Sequence, residues 1–172
     1  VVCNDANLSA HSRSLRNLCF QETKRFVHEE LGWNYRMSNL QAAVGVAQLE
    51  NISTHLQKTR QMGLYYRTLL SECPSVELPP ADQDYADNYY WVFGLLLRDC
   101  VEKTAVQIMS DLRKLGIGTR PFFWPMHEQP VFQKMDLFKK DKHSVAEKMA
   151  RRGFYLPSGL NISQNQQERV AH

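Results

Sequence analysis

Apolar side chains recur at Leu40, Ala43, Val44 and Ala47, the i, i+3, i+4, i+7 spacing of one face of a helix. Ser38 precedes Gln41 by three positions, a capping-box pair in which the hydroxyl accepts from a free backbone N–H and the amide returns the bond. The helix is therefore predicted to begin at about Asn39, and its small residues would let a second backbone come close. Asn51-Ile52-Ser53 supplies a kink and a new cap. Leu56, Arg60, Leu64, Tyr65 and Leu69 then keep helical spacing down to Cys73-Pro74, so two long helices, or one bent one, fill positions 39 to 72. Near the start, Asn4-Asp5 offers a turn and an N-cap. Leu8, His11 and Leu15, with Leu18 next in register, share one face of a short helix. Val1-Val2-Cys3 reads as the end of a β-strand, as though the chain were cut from something longer. From Gln21 to Trp33, including Arg25 to Glu30, no period holds and Gly32 closes a loop.

At Pro74 the rhythm changes. Val76-Glu77-Leu78 before Pro79-Pro80 predicts a short edge strand, because proline cannot donate to a ladder. Tyr89 to Leu97 is nearly continuous in aromatic and aliphatic residues, the pattern of a central strand buried on both faces. Thr104 caps a helix with a stripe of Ala105, Ile108, Met109 and Leu112, ended by Gly116 as a left-handed cap. Ile117 to Arg120 follows as a strand. Pro121 and Pro125 forbid a helix through Phe122-Phe123-Trp124. Beyond it come an exposed basic turn at Lys139-Lys140-Asp141-Lys142, a helix from Ser144 to about Arg152, a Phe154-Tyr155-Leu156 strand, and a helix capped by Ser163 with Gln166 that is still in its pattern at His172. The predicted fold class is α+β: long helices followed by a small sheet-and-helix domain.

Composition narrows the picture. Of 172 residues 43% are apolar and 23% charged, the balance of a soluble globular protein rather than a disordered tail. A net charge of +3, spread without a basic stripe, argues against nucleic acid and fits anionic small molecules. Cys3, Cys19, Cys73 and Cys100 stand far apart, with neither zinc-ligand nor disulfide-framework spacing, which fits a reducing cytoplasm. No apolar run reaches the roughly 18 residues of a membrane span.

Two stretches carry candidate chemistry. Trp33-Asn34-Tyr35-Arg36 sets an amide, a guanidinium and two aromatic rings at the positive end of a helix dipole, where a phosphate would bind; the alternative is a plain helix-entry loop. Arg120 to His127 presents three adjacent aromatics tipped by an arginine and a histidine, suited to clasp a flat ring and a phosphate, or else to plug a gap between units. His28 beside Glu29 is either an acid or base held by a carboxylate or a surface residue. There is no glycine-rich phosphate loop, no paired Cys or His at metal spacing and no serine elbow, so no residue is assigned a catalytic role and none a metal.

Val1-Val2-Cys3-Asn4-Asp5, Leu15-Arg16-Asn17, the run from Leu31 to Ala43, Gln48-Leu49, Gly116 to Phe123 and Leu156-Pro157-Ser158 occur in order along the chain. Together they resemble the carboxyl-terminal half of the DegT/DnrJ/StrS nucleotide-sugar aminotransferases, fold-type I pyridoxal-phosphate enzymes, nearest the perosamine-synthase-like branch. The resemblance implies transfer of an amino group from an amino acid, usually glutamate, to a keto-sugar on a nucleoside diphosphate, in a cytoplasmic homodimer with shared active sites. It divides the chain into 1–37, a remnant of the large cofactor domain and active-site loop; 38–73, long interdomain helices; and 74–172, the small carboxyl-terminal domain. Most of the large parallel-sheet domain is expected upstream, with the cofactor-bearing lysine, so this piece alone is expected to be inactive.

By the same resemblance Asn34 reaches the cofactor phosphate of the partner subunit and Arg36 shapes that pocket, while Arg120, Trp124, His127 and His28 belong to the substrate side. Relatives commonly read Leu-Arg-Asn-His-Gly where this chain has Leu15-Arg16-Asn17-Leu18-Cys19, which puts the geometry of that turn in question. Two alternatives stay open. One is a dehydratase of the same family, with histidine at the lysine position; the other is a non-catalytic remnant acting as an interaction or oligomerisation module.

Overall fold

The computed structural model describes residues 2–21, 23–24 and 26–172, in two compact units, Val1–Asn51 and Ile52–His172. In the first unit α1 (Ala6–Arg16) opens on Asp5, whose carboxylate accepts from the Leu8 N–H at 2.7 Å, as the sequence predicts. The expected strand end is not formed: Val2 and Cys3 lie in no strand, and Val1 falls outside the described residues. Leu18 does not extend the helix either. It and Cys19 take left-handed φ values of 62° and 51°, which turns the chain sharply after α1. The returning segment docks on that turn, with Trp33 N–H donating to Leu15 O, Leu18 N–H to Trp33 O and Tyr35 N–H to Arg16 O. Gly32 permits this approach, since a Cβ there would meet Cys19 N and Leu18 C at 2.6 Å. Gln21, Thr23, Lys24 and residues 26–33 lie in the expected loop; Glu22 and Arg25 fall outside the described residues.

α2 (Asn39–Glu50) begins where predicted. The Gln41 N–H donates to Ser38 Oγ at 3.3 Å and the Ser38 N–H to Gln41 Oε1 at 2.9 Å. It ends at Asn51, whose amide donates to Ala47 O. The helix is apolar on several sides and none of its residues is buried, with Leu40 82% and Val44 65% exposed.

The second unit opens with α3 (Ile52–Leu69), so the region holds two helices. Its buried stripe is Met62, Gly63, Tyr66 and the following Leu70, not the face through Leu64, which is 45% exposed. The shift follows from what α3 packs against: the Tyr90 ring lies where a Cβ on residue 63 would stand, and Gln167 of α7 (Gln164–Ala171) donates to Met62 O at 2.9 Å. Four antiparallel strands form a sheet in the order β1 (Val76–Glu77), β2 (Phe93–Leu97), β4 (Gly153–Leu156), β3 (Arg120–Pro121). β1 is the predicted edge strand and β2 is internal.

Three details differ from expectation. β2 starts at Phe93 rather than Tyr89, because Tyr90 takes φ 49° and its N–H is captured by the Asn88 side chain, which breaks the extended run. Along β2 burial alternates: Phe93, Leu95 and Leu97 are buried, Gly94 and Leu96 half-buried, so only one face carries the core. β3 lies at Arg120–Pro121 and not at Ile117–Arg120. The chain after α4 (Ala105–Lys114) is spent on closing the helix, with Gly116 at φ 78° and the Ile117 N–H returned to Leu112 O. Pro121 is tolerated there because β3 is an edge.

Ile108, Met109 and Leu112 of α4 pack on a core of Tyr66, Tyr90, Phe93, Leu95, Leu97, Phe154 and Leu156. A short α5 (Pro130–Lys134), which the sequence pattern did not suggest, precedes α6 (Ser144–Arg152). At the end of α6 the Arg152 guanidinium donates to the carbonyls of Leu97, Arg98, Val101 and Lys103, tying down the turn after β2. No helix among the described residues is long and apolar enough to cross a membrane.

Candidate functional site

In the first unit the 33–36 segment is extended, so successive side chains alternate. Trp33 and Tyr35 stack on one side with ring centroids 6.4 Å apart, which leaves Asn34 and Arg36 on the other. The Asn34 backbone bridges to Asn17 at the end of α1, fixing its height on the turn. Its side-chain carbonyl accepts from Arg36 Nε at 3.1 Å, and both residues are solvent-exposed. That bond orients the amide. With its oxygen engaged by the guanidinium, the Nδ2 donor is directed away from Arg36, and among the described residues nothing takes it up. An amide donor and a guanidinium, both exposed just ahead of a capped helix start, are groups able to donate to an anion.

His28 is also exposed. Its Nδ1 lies 2.7 Å from Leu18 O, so it carries the proton there, and in the neutral ring Nε2 is left as an acceptor. The pairing suggested with Glu29 is not what holds it. The histidine–carboxylate contact in this unit joins His11 to Glu30 at 3.0 Å.

In the second unit the Arg120 to His127 stretch divides. Arg120, on β3, lines a cleft of about 210 Å³ together with Trp91, Tyr155 and Ser158. Trp124 is turned towards α6, with the Arg151 guanidinium 5.2 Å from its ring centroid. His127 lies in a short 3-10 turn, Met126–Glu128, and is only 8% exposed. Its Nε2 sits 3.0 Å from Glu147 Oε1 on α6, and its ring meets that of His143 edge-on at 4.9 Å. The backbone N–H of His143 also donates to Glu147, at 2.8 Å. This bond first, and His127 second, hold the Glu147 carboxyl below its usual range. Glu128 Oε1 takes Arg151 Nη2 at 2.7 Å and raises that guanidinium further. Glu128 Oε2 is shut off from solvent and has no hydrogen-bond partner among the described residues.

The structure thus gathers Trp124 and His127 around Arg151 and α6, and leaves Arg120 in the neighbouring cleft. Sequence reading passed over Trp91, Glu128, Glu147 and Arg151. Glu128 carried a signal, being adjacent to His127; Glu147 lies 20 residues further on, where no local spacing announces it.

The sequence profile of the DegT/DnrJ/EryC1/StrS aminotransferase family matches residues 1–172. GDP-perosamine synthase of Caulobacter vibrioides is 30% identical over 170 residues, covering 99% of this chain and 45% of its own length. Helicobacter pylori PseC, an aminotransferase involved in the biosynthesis of pseudoaminic acid, superposes with a TM-score of 0.85 at 22% identity over 99% of this chain and 46% of that one. DesI, solved in the presence of its TDP-sugar product, gives 0.79 at 26% identity, covering 99% of this chain and 42% of the other. The chain therefore spans a little under half the length of the proteins it matches.

Proposed function

We propose, from the premise that this chain belongs to the DegT/DnrJ/EryC1/StrS aminotransferase family, that it acts as the carboxyl-terminal part of a cytoplasmic pyridoxal-phosphate enzyme. The enzyme moves an amino group from an amino acid, glutamate by preference, to a nucleotide-linked keto-sugar. The observation that carries this reading is the exposed Asn34 amide, oriented by Arg36 ahead of the α2 cap. The residues fit a cofactor phosphate. An amide N–H and a guanidinium meet a dianion with charge-assisted bonds, and among the described residues no carboxylate is bonded to either. When bound, pyridoxal phosphate supplies the electron sink that makes amino transfer possible.

The chain's own part is to bind and orient. Asn34 donates to a phosphate oxygen belonging to a second subunit's site, and Arg36 holds the amide in that rotamer while offsetting the charge. Arg120, in its cleft with Trp91 and Tyr155, meets the nucleotide diphosphate. Trp124 forms a wall of the sugar pocket, kept in place by Arg151. His28 offers Nε2 to a sugar hydroxyl. His127, buried on Glu147, serves this site by anchoring the loop that carries Trp124. The family's description as aminotransferases favours amination over the dehydration that some relatives perform.

The test uses the enzyme that carries this chain as its carboxyl-terminal part, with cofactor affinity read by equilibrium dialysis. Removing one hydrogen bond to a charged group costs about 1.5–3 kcal/mol, so Asn34→Ala is expected to weaken pyridoxal phosphate binding roughly tenfold to a hundredfold. An affinity within about twofold of the wild type would refute the assignment, since a bond of this kind is not that weak.

A further inference from the structure

The His127 cluster contains more than an anchor requires. One ring nitrogen of His127, one oxygen of Glu128 and one of Glu147 all lie within 4.8 Å of one another, contributed by the 3-10 turn and by α6. Two carboxylates share the small space beside the imidazole. Arg151 compensates one of them, through Glu128 Oε1. The other Glu128 oxygen is sheltered from water and, among the described residues, has no hydrogen-bond donor. A buried atom of this kind calls for an occupant, and a proton donor of the protein does not provide it.

We propose that His127, Glu128 and Glu147 bind a divalent cation of the zinc class, which clasps the loop after β3 to α6. The donor set, one imidazole nitrogen and two carboxylate oxygens, is the mixed N/O set that Zn²⁺ accepts, with a fourth position for water. The size also suits. Ligand atoms about 2.1 Å from a tetrahedral ion stand about 3.4 Å apart. Nε2 and Glu147 Oε1 are already 3.0 Å apart, so the ion enters by displacing the proton they share while the two atoms part slightly. Glu128 must close in by about 1.4 Å from the 4.8 Å limit, within reach of its flexible side chain. Outer contacts that would orient the ligands exist already: Arg151 on Glu128 Oε1, the His143 N–H on Glu147, and the Gln133 amide on the His127 carbonyl. None of the three ligands is a residue assigned to the cofactor phosphate, so metal binding does not depend on that assignment.

The full chain, stripped with a chelator, is titrated with ZnCl₂ by calorimetry and by thermal denaturation. One equivalent should bind and raise Tm. Glu147→Gln and Glu128→Gln should each weaken binding at least tenfold and abolish the rise. Co²⁺ substitution in the wild type gives a readout that needs no variant: a tetrahedral visible absorption band, saturating at one equivalent. Absence of binding to the wild type, an octahedral Co²⁺ spectrum like that of the free ion, or unchanged affinity in both carboxylate variants would overturn the proposal.

Discussion

A single carboxylate can make stability depend on pH without touching any site. Asp111 on α4 accepts from Lys103 and Lys114, each at 2.8 Å, and these bonds, Lys103 first, bring its pKa from 3.8 to about 2. A folded value below the unfolded one means that the stabilising contribution is complete above about pH 4 and disappears as pH falls through about 2. Asp111→Asn is therefore expected to flatten the dependence of the urea midpoint on pH between 4 and 2 while leaving the variant folded at neutral pH. The left-handed pair Leu18 and Cys19 shows another residue-scale effect. A sequence with neither glycine nor asparagine at those positions still makes the turn, because the returning Trp33 and Tyr35 hydrogen bonds hold it.

At the scale of elements, helix starts were the most legible feature. Ser38, Thr104 and Ser163 each form the reciprocal box with a Gln three residues on, because capping is decided by neighbours in the chain. Strand limits were less so. Tyr90 belongs to an unbroken apolar run, yet the Asn88 side chain and a positive φ remove it from β2, a conflict that hydrophobicity alone does not register. The buried face of α3 was not legible for a related reason: Gly63 carries no hydrophobic signal but marks where the Tyr90 ring sits. This gives a prediction with an unusual sign. Gly→Ala inside an exposed helix ordinarily adds about 0.5–1 kcal/mol, but here the new Cβ would lie 2.1 Å from Tyr90 Cγ, in the middle of a core ring. Gly63→Ala should instead cost about 2 kcal/mol, the usual scale of overpacking, as a lowered urea midpoint with little change in slope. As for the candidate site, Asn34 and Arg36 were readable because they are sequence neighbours on one extended segment. The Glu147 partner of His127 was not, since it depends on α6 packing beside a loop 20 residues away.

For the molecule as a whole, α2 is the feature that a lone chain does not explain. A helix with apolar residues on several sides is ordinarily covered, yet Leu40, Val44, Val46 and Leu49 are all more than half exposed, at 82%, 65%, 54% and 68%. On the proposed function the cover is a second subunit, and the same surface carries Asn34 to that subunit's cofactor. Coupling follows: if the amide reaches its phosphate only across the interface, cofactor and partner must favour each other's binding by one common factor. Leu40→Asp with Val44→Asp should raise the dimer dissociation constant of the enzyme about a hundredfold, roughly 2.7 kcal/mol, in sedimentation equilibrium. Cofactor affinity should fall in parallel although neither residue touches the phosphate, and saturating pyridoxal phosphate should restore part of the dimer. A monomeric double variant that binds cofactor as tightly as the wild type would separate the two events and place Asn34 in its own subunit's site.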